Sequence, residues 1–320
     1  ECAIGLRSRL RPEFEPSMPA PAPALDHKSA IAGLSPQERE RLLAKSDRAG
    51  AGQLAAHLGA MALMVPGMAL DTALGWVCTF VYGVLLVFLF TAQHECVHFT
   101  AFATRRANQW VANAVGALLF NPAHWFRYFH LAHHRYTQDP ERDPELASAK
   151  PDTAWRYLWH VLGWRVLASG VATVLRNARS GERADWLPAN QRDTVTRESR
   201  VLLLCYAAAF GVASVTSFNG LLTFWLVPLL LGQPILRLYL LAEHGRCPFV
   251  ANMFENTRTT FTNALVRRLA WNMPYHAEHH AFPSVPFHRL PVWHRHVRDQ
   301  LKCTSCGYTQ FHRAYVEDFR

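Results

Sequence analysis

The feature that most constrains the fold is an uninterrupted apolar stretch from Thr72 to Gln93. It contains 22 residues and no charged side chain. A helix needs about 20 mainly apolar residues to cross the hydrocarbon core of a bilayer. Inside that core every backbone polar group must be satisfied within the protein, so only helices and closed barrels can span it. The stretch therefore predicts a transmembrane helix.

Three further apolar stretches lie at 53–70, 201–218 and 221–241. Short turns around Asp71 and Asn219 would join the four stretches in pairs. We therefore predict an all-α integral membrane protein with four transmembrane helices in two hairpins. The spans are expected at about 53–70, 72–93, 201–218 and 221–241.

The polar segments divide the rest of the chain. Residues 94–200 and 242–320 are expected to form a helical cytoplasmic cap, so that 51–320 is one membrane domain. Residues 1–50 are predicted to be a cytoplasmic segment. Part of it is expected to be disordered, because Pro12–Leu25 is rich in proline and cannot bury a core.

Two local patterns add detail to this division. Ser35, Pro36 and Glu38 form the signature of a capped helix start. Thr153–Leu175 is rich in aromatics, but charged and histidine side chains recur through it, which favours an interfacial amphipathic helix over a span.

No cleaved signal peptide is predicted, since no basic start precedes a short apolar run.

The charges predict the orientation in the membrane. Net charge is +9, and none of the 33 Lys and Arg residues lies within 53–93 or 201–236. By the positive-inside rule, the side that carries them is cytoplasmic. The basic residues are dispersed and form no single stripe, so no nucleic-acid partner is expected. The Ala- and Arg-rich composition favours a bacterial plasma membrane.

Three short histidine runs lie on the predicted cytoplasmic side. They are His94-Glu95-Cys96-Val97-His98, His130-Leu131-Ala132-His133-His134 and His276-Ala277-Glu278-His279-His280. Residues three and four apart share one face of a helix, so each run would present its imidazoles together. Histidine makes up 17 of 320 residues, and at that frequency two HxxHH runs arise by chance in roughly one chain in a thousand. The runs therefore predict a metal centre.

Eight imidazoles suit two metal ions with four to five ligands each, because a tetrahedral zinc ion would leave several unused. His244, at the end of the fourth predicted span, is added as a ninth ligand. Asn272 lies one helical turn before His276 and is predicted to hold a metal-bound water. Carboxylates adjacent to the runs are the candidates for orienting the imidazoles: Glu95, Glu278, Asp139 and Asp143.

Cys303 and Cys306 form a lone CxxC. A structural zinc or rubredoxin-type site needs four ligands, usually with a second such pair. The pattern favours a reduced surface loop over a metal or redox site, and its role stays open.

The three runs and their neighbours resemble the histidine boxes of the membrane-bound fatty acid desaturase and hydroxylase superfamily. The resemblance covers roughly residues 50 to 315. It extends to the TQDP and DPE strings after the second run, at 137–140 and 143–145, and to WNMPY before the third, at 271–275. These strings are similar to those of bacterial members of the fatty-acid-desaturase-type branch, which include hydrocarbon oxygenases.

The resemblance implies a non-haem di-iron centre that uses O2 and two electrons to oxidise an unactivated C–H bond in a lipid or acyl chain. The implied ligands are His94, His98, His130, His133, His134, His276, His279 and His280, with His244 as the additional one. It also implies a separate electron donor: a ferredoxin, a rubredoxin, or a cytochrome b5 with its reductase. The basic cytoplasmic face would suit an acidic carrier.

Desaturation is the favoured reaction, and a hydroxylase or other monooxygenase on the same scaffold is the alternative. A histidine-rich metal transporter is a more distant alternative. Transport sites usually lie near the bilayer midplane on broken helices, whereas these runs lie at or beyond the ends of the predicted spans.

Overall fold

The computed structural model describes residues 26–319. Its α-helices are α1 His27–Ala32, α2 Pro36–Leu43, α3 Asp47–Met68, α4 Ala73–Val97, α5 Arg105–Leu118, α6 Ala123–Tyr136, α7 Ala154–Leu162, α8 Trp164–Ser180, α9 Arg192–Thr216, α10 Val227–His244, α11 Met253–Asn256, α12 Ala264–Leu269, α13 His276–Ala281, α14 Leu290–Val297 and α15 Tyr308–Glu317. Short 3-10 helices cover Pro144–Ala147, Ala189–Gln191 and Arg298–Gln300, and a π-helical turn at Leu222–Leu226 leads into α10. The segment predicted to be disordered, Pro12–Leu25, lies outside the described residues.

Two dipeptide strands qualify the all-α prediction. β1 Thr259–Thr260 pairs in parallel with β2 Thr304–Ser305. The pair ties the chain before the third histidine run to the segment before α15. The fold is otherwise helical, as predicted.

Each predicted span corresponds to a helix. Within residues 26–319, three stretches of helix are long and apolar enough to cross a membrane: α4, 189–216 including α9, and 222–244 including α10. The helix for the first predicted span, α3, is outside this group, because Gln53 and His57 reduce its apolar character. Both side chains are buried and bond to backbone carbonyls of other segments, so they serve packing within the protein.

The stretch predicted as one interfacial helix is two helices. α7 and α8 meet at Gly163 with a bend of 57°, and together they are apolar enough to form a broken span or a re-entrant loop. Gly163 has φ +71°, a left-handed conformation that glycine adopts without a steric cost. The structure therefore contains three candidate spans, or four with this bent pair.

α4 and α10 form the centre of the helical packing. A Cβ at Gly83 would lie 2.3 Å from the carbonyl oxygen of Pro228, and one at Gly232 would lie 2.2 Å from that of Gly83. Only glycine permits such a close approach of two backbones, as in many helix pairs in membranes. The contact brings the ends of α4 and α10, which carry histidines, to one level.

The segment from α11 to α14 packs against this helix pair. The largest core cluster joins α4 to the segment from α11 to α14, and it includes the fully buried Phe254, Trp271 and Trp293. At the N-terminal end, Ser35 and Glu38 cap α2 reciprocally, as predicted. The segment from α11 to α14 therefore has a buried apolar core that is shared with α4.

Candidate metal centre

Four helices deliver the nine predicted histidines to one place. α4 carries His94 in its last turn with His98 just beyond its end, and α10 ends at His244. α6 carries the second run and α13 the third. Eight of the nine side chains are buried, and His98 is partly buried. The three runs, far apart in sequence, thus form a single cluster.

The first group in the cluster contains five imidazoles. One ring nitrogen from each of them lies within 4.8 Å of all the others. The Nε2 atoms of His130 and His134 are 3.0 Å apart, and those of His134 and His279 are 3.2 Å apart. The group consists of His94, His98, His130, His134 and His279.

The second group contains His133, His244 and His280, again within 4.8 Å of one another. His276 adjoins it, because its Nε2 lies 3.1 Å from Nε2 of His244. The Nε2 atoms of His133 and His244 are also 3.1 Å apart. Nine imidazoles therefore divide into groups of five and four.

The donor set fits metal ions. Two nitrogens bound at about 2.1 Å to one ion, at roughly right angles, lie about 3 Å apart, which matches the Nε2 separations of 3.0–3.2 Å. Both ring nitrogens of His94 and Nε2 of His98 and His280 are buried without a protein partner. Burial holds the pKa of His130, His134 and His279 well below the usual range. These imidazoles are therefore neutral, the form that binds metal.

Two partners orient the second group. The carboxylate of Asp143 accepts from Nδ1 of His133, with O–N distances of 2.9 and 3.1 Å. Oγ1 of Thr137 is 3.1 Å from Nδ1 of His280. Each contact uses Nδ1 and leaves Nε2 to face the group, as in known metal sites.

Two further carboxylates lie next to the same group. Oε2 of Glu145 is 3.5 Å from Nε2 of His133, and Oε1 of Glu243 is 3.5 Å from Nδ1 of His276. Burial lowers the pKa of the His133 imidazole, but the carboxylates of Glu145 and Asp143 outweigh it, so the net shift is upward. His133 is thus the one member of the nine whose surroundings favour a proton.

The carboxylates predicted to orient imidazoles have different partners. Asp143 has the predicted role, and Oε1 of the buried Glu95 lies 3.9 Å from Nδ1 of His279. Glu278 instead bonds to Thr259 and His294, and Asp139 pairs with Arg142. Adjacency to a run was therefore an unreliable guide, because nearness in sequence does not fix the direction in which a side chain points.

Asn272 is engaged by the backbone. Its Nδ2 donates to the carbonyl of Phe287 at 3.0 Å, and its own φ is +60°. The predicted water-mediated role stays a prediction.

Sequence reasoning missed Thr137, Glu145 and Glu243 as neighbours of the cluster. Thr137 and Glu145 belong to the strings noted after the second run, which was the signal available. Glu243 precedes His244 directly. Sequence reasoning also missed the neighbour of Cys303: its Sγ lies 2.8 Å from that of Cys247, three residues after His244.

An apolar cavity of about 550 Å³ lies between α4, α10 and α15. Phe88 and Tyr239 form part of its wall, with ring centroids 5.1 Å apart. Tyr239 lies one helical turn before Glu243, which adjoins the second group. At its outer side the lining includes the exposed Ile235 and Val316. The cavity therefore opens at the surface of the helical bundle, and its wall includes a residue of α10 one turn before Glu243.

Comparison with known proteins agrees with this geometry. The family model for fatty acid desaturases matches residues 71–312, which contain all three histidine runs. The chain is 24% identical over 237 residues to the dihydrorhizobitoxine desaturase of Bradyrhizobium elkanii, a match that covers 69% of this chain and 66% of that protein.

Two further relatives are named as lipid desaturases. The sn-1 oleoyl-lipid 12-desaturase of a Picosynechococcus species is 25% identical over 254 residues, which cover 75% of this chain and 60% of that protein. The Anabaena variabilis protein of the same name is 23% identical over 262 residues, 77% and 61% of the two chains. The chain spans about two thirds or less of these relatives. Because the family model matches most of the chain, the chain belongs to the fatty acid desaturase family.

Proposed function

We propose that this protein is a di-iron oxidoreductase that uses O2 to desaturate an acyl chain of a membrane lipid. The observation that carries the proposal is the division of nine imidazoles, eight of them buried, into two adjacent groups. Imidazole suits iron, and two groups of this size suit two ions with positions left open. The desaturase family and the names of the relatives support the reaction class.

The chain's own residues would divide the task. The nine histidines would hold the ions, and Asp143 and Thr137 would keep two of the imidazoles in the required orientation. When bound, the ions would supply O2 activation and removal of hydrogen from an unactivated C–H bond. The apolar core around the cluster would exclude water, and the protein would fix the target carbon near the ions.

The apolar cavity between α4, α10 and α15 is the proposed path for the acyl chain. Its aromatic and aliphatic lining suits a hydrocarbon, and its volume of about 550 Å³ falls within the usual range for ligand sites. Substrate would enter laterally, past Ile235 and Val316, from the bilayer. The chain length and the position of attack are outside the proposal.

We also propose the membrane arrangement predicted from the charges. α3, α4, α9 and α10 would span the bacterial plasma membrane, with α7 and α8 in the interface. The histidine cluster and the flanking polar segments would be cytoplasmic. Electrons would come from a separate ferredoxin, rubredoxin or cytochrome b5 system.

A hydroxylase on the same scaffold is the second candidate, because the same hydrogen abstraction can precede either reaction. A metal transporter is less well supported, since the histidines lie at the ends of α4 and α10 and in the cap. The three relatives are all named as desaturases, which favours the first candidate.

The test is mass spectrometry of lipids from a bacterial host that expresses the chain together with an electron-donor system. A loss of two hydrogens in the wild type, absent in His133→Ala, is expected. His124→Ala is the matched control, because His124 lies on the same helix and bonds to Gln191 outside the cluster.

The other outcomes separate the candidates. A gain of one oxygen would assign hydroxylation instead. Metal uptake that depends on His133, without any change in lipids, would support transport. A purified wild-type protein without iron would overturn the di-iron proposal.

A further inference from the structure

The two groups of imidazoles are unequal. The first group has five, and the second has His133, His244, His276 and His280. The second group therefore has room for a ligand that is not an imidazole.

Glu145 lies in the position of such a ligand. It belongs to the 3-10 helix Pro144–Ala147, and its backbone N–H donates to Oδ1 of Asp143 at 2.9 Å. The same Asp143 carboxylate accepts from Nδ1 of His133. One carboxylate thus fixes both the ring of His133 and the backbone of Glu145.

The orientation of His133 shows which side would face an ion. Its Nδ1 is engaged by Asp143, so Nε2 is the nitrogen that remains for a metal. Oε2 of Glu145 is 3.5 Å from this Nε2, and Nε2 of His244 is 3.1 Å from it. Two ligands of one ion at about 2.1 Å are separated by roughly 3.0–3.5 Å at angles between 90° and the tetrahedral value. The Glu145 oxygen therefore lies at a distance suitable for a ligand of the same ion.

We propose that Glu145 is a carboxylate ligand of the second metal ion, together with His133, His244, His276 and His280. This inference rests on the proposed di-iron function. It gives the second ion an anionic ligand, whereas the first group consists of imidazoles alone. The two ions would consequently differ in charge environment and in affinity.

A competing explanation is an ion pair. Nζ of Lys150 lies 3.8 Å from Oε2 of Glu145, and both side chains are partly exposed. Exposed pairs of this kind contribute little stability. If Glu145 served only this ion pair, removing the charge of Lys150 would have the same effect as removing the carboxylate of Glu145.

The test uses the whole protein, purified in detergent, loaded with 57Fe and reduced. Iron per chain and the ferrous Mössbauer spectrum are measured for the wild type, Glu145→Gln, Lys150→Gln and Glu141→Gln. Glu141 is a matched control, since it is exposed in the same loop. For Glu145→Gln we expect at least about tenfold weaker binding of one ion, and a changed signal from one site while the other is preserved.

The controls should retain two irons and the wild-type spectrum. Glu145→Asp retains a carboxylate and should bind more tightly than Glu145→Gln, which distinguishes ligand loss from a general failure to fold.

Each contrary result has a separate meaning. A wild type without two irons would overturn the di-iron function and the inference with it. Two irons and an unchanged spectrum in Glu145→Gln would overturn only the inference. An equal loss in Lys150→Gln would assign Glu145 to the ion pair and likewise overturn it.

Discussion

The two groups of imidazoles are built differently. The first draws on α4, α6 and α13, and the carboxylate next to it is that of Glu95, 3.9 Å from His279. The second draws on α6, α10 and α13, and Asp143, Glu145 and Glu243 surround it. The first group is therefore positioned mainly by helix packing, and the second by a polar network as well.

The proposed metal centre would thus have two kinds of support. Apolar packing excludes water and keeps imidazoles neutral, because burial disfavours their charged form. Hydrogen-bonded carboxylates instead set the ring orientation and raise the basicity of a ligand. Substitutions and pH changes should separate the two groups.

The largest expected effect is the loss of a histidine from either group. His94→Ala and His276→Ala should each reduce lipid oxidation by at least about a hundredfold, because the proposed chemistry needs both ions. Product yield by mass spectrometry is the measurement. Retained activity in one of the two variants would mean that its group is dispensable for the reaction.

Removing the charge of Asp143 should affect only the second group. Asp143→Asn keeps the shape but weakens the contact with Nδ1 of His133, and loss of such a partner typically costs about 10- to 100-fold in metal affinity. Titration of the purified protein with metal measures this affinity. Asp139→Asn is the control, because Asp139 pairs with the exposed Arg142. An equal loss of affinity for both ions would show that the two groups are not independent.

Acid should release the two ions in order. The carboxylates of Glu145 and Asp143 outweigh burial and the opposing charge of Lys150, so the pKa of His133 is raised. Burial instead lowers the pKa values of His130, His134 and His279. As pH falls, His133 takes up a proton first, and a protonated imidazole cannot bind metal.

The second group should therefore lose its ion at the higher pH. Metal content after dialysis at stepwise lower pH gives the order. Simultaneous release of both ions would contradict the electrostatic distinction between the groups.

The smallest expected effect is that of Thr137→Val, which removes the hydroxyl near Nδ1 of His280 at nearly constant volume. One hydrogen bond contributes about 1 kcal/mol, so the affinity for the second ion should fall by about fivefold. Metal titration is again the measurement. Unchanged affinity would mean that His280 is held by packing, as in the first group.

Local patterns in the sequence determined much of this protein. The length of Thr72–Gln93 predicted α4, and Ser35 with Glu38 predicted the capped start of α2. The spacing within the histidine runs placed their rings on common helix faces. These features depend on residues within a few turns of one another, so they need no knowledge of the fold.

Other elements depended on distant contacts. α7 and α8 bend at Gly163, which a pattern of aromatic and basic residues did not predict. Asp143 orients His133, whereas Glu278 and Asp139, which are nearer to a run in sequence, have other partners. The direction of a side chain relative to another helix decides such contacts.

The division of the runs shows the boundary between the two kinds of information. Residues four apart stay together: His130 with His134 in the first group, and His276 with His280 in the second. In these two runs the remaining histidine lies in the other group: His133 is in the second group, and His279 is in the first. The sequence alone predicted that each run presents its rings on one helix face, since residues three and four apart share a face. Only the tertiary structure decided that the residues four apart stay together and which distant histidine joins each pair, because the close packing of α4 with α10 and the placement of α6 and α13 set the distances between their faces.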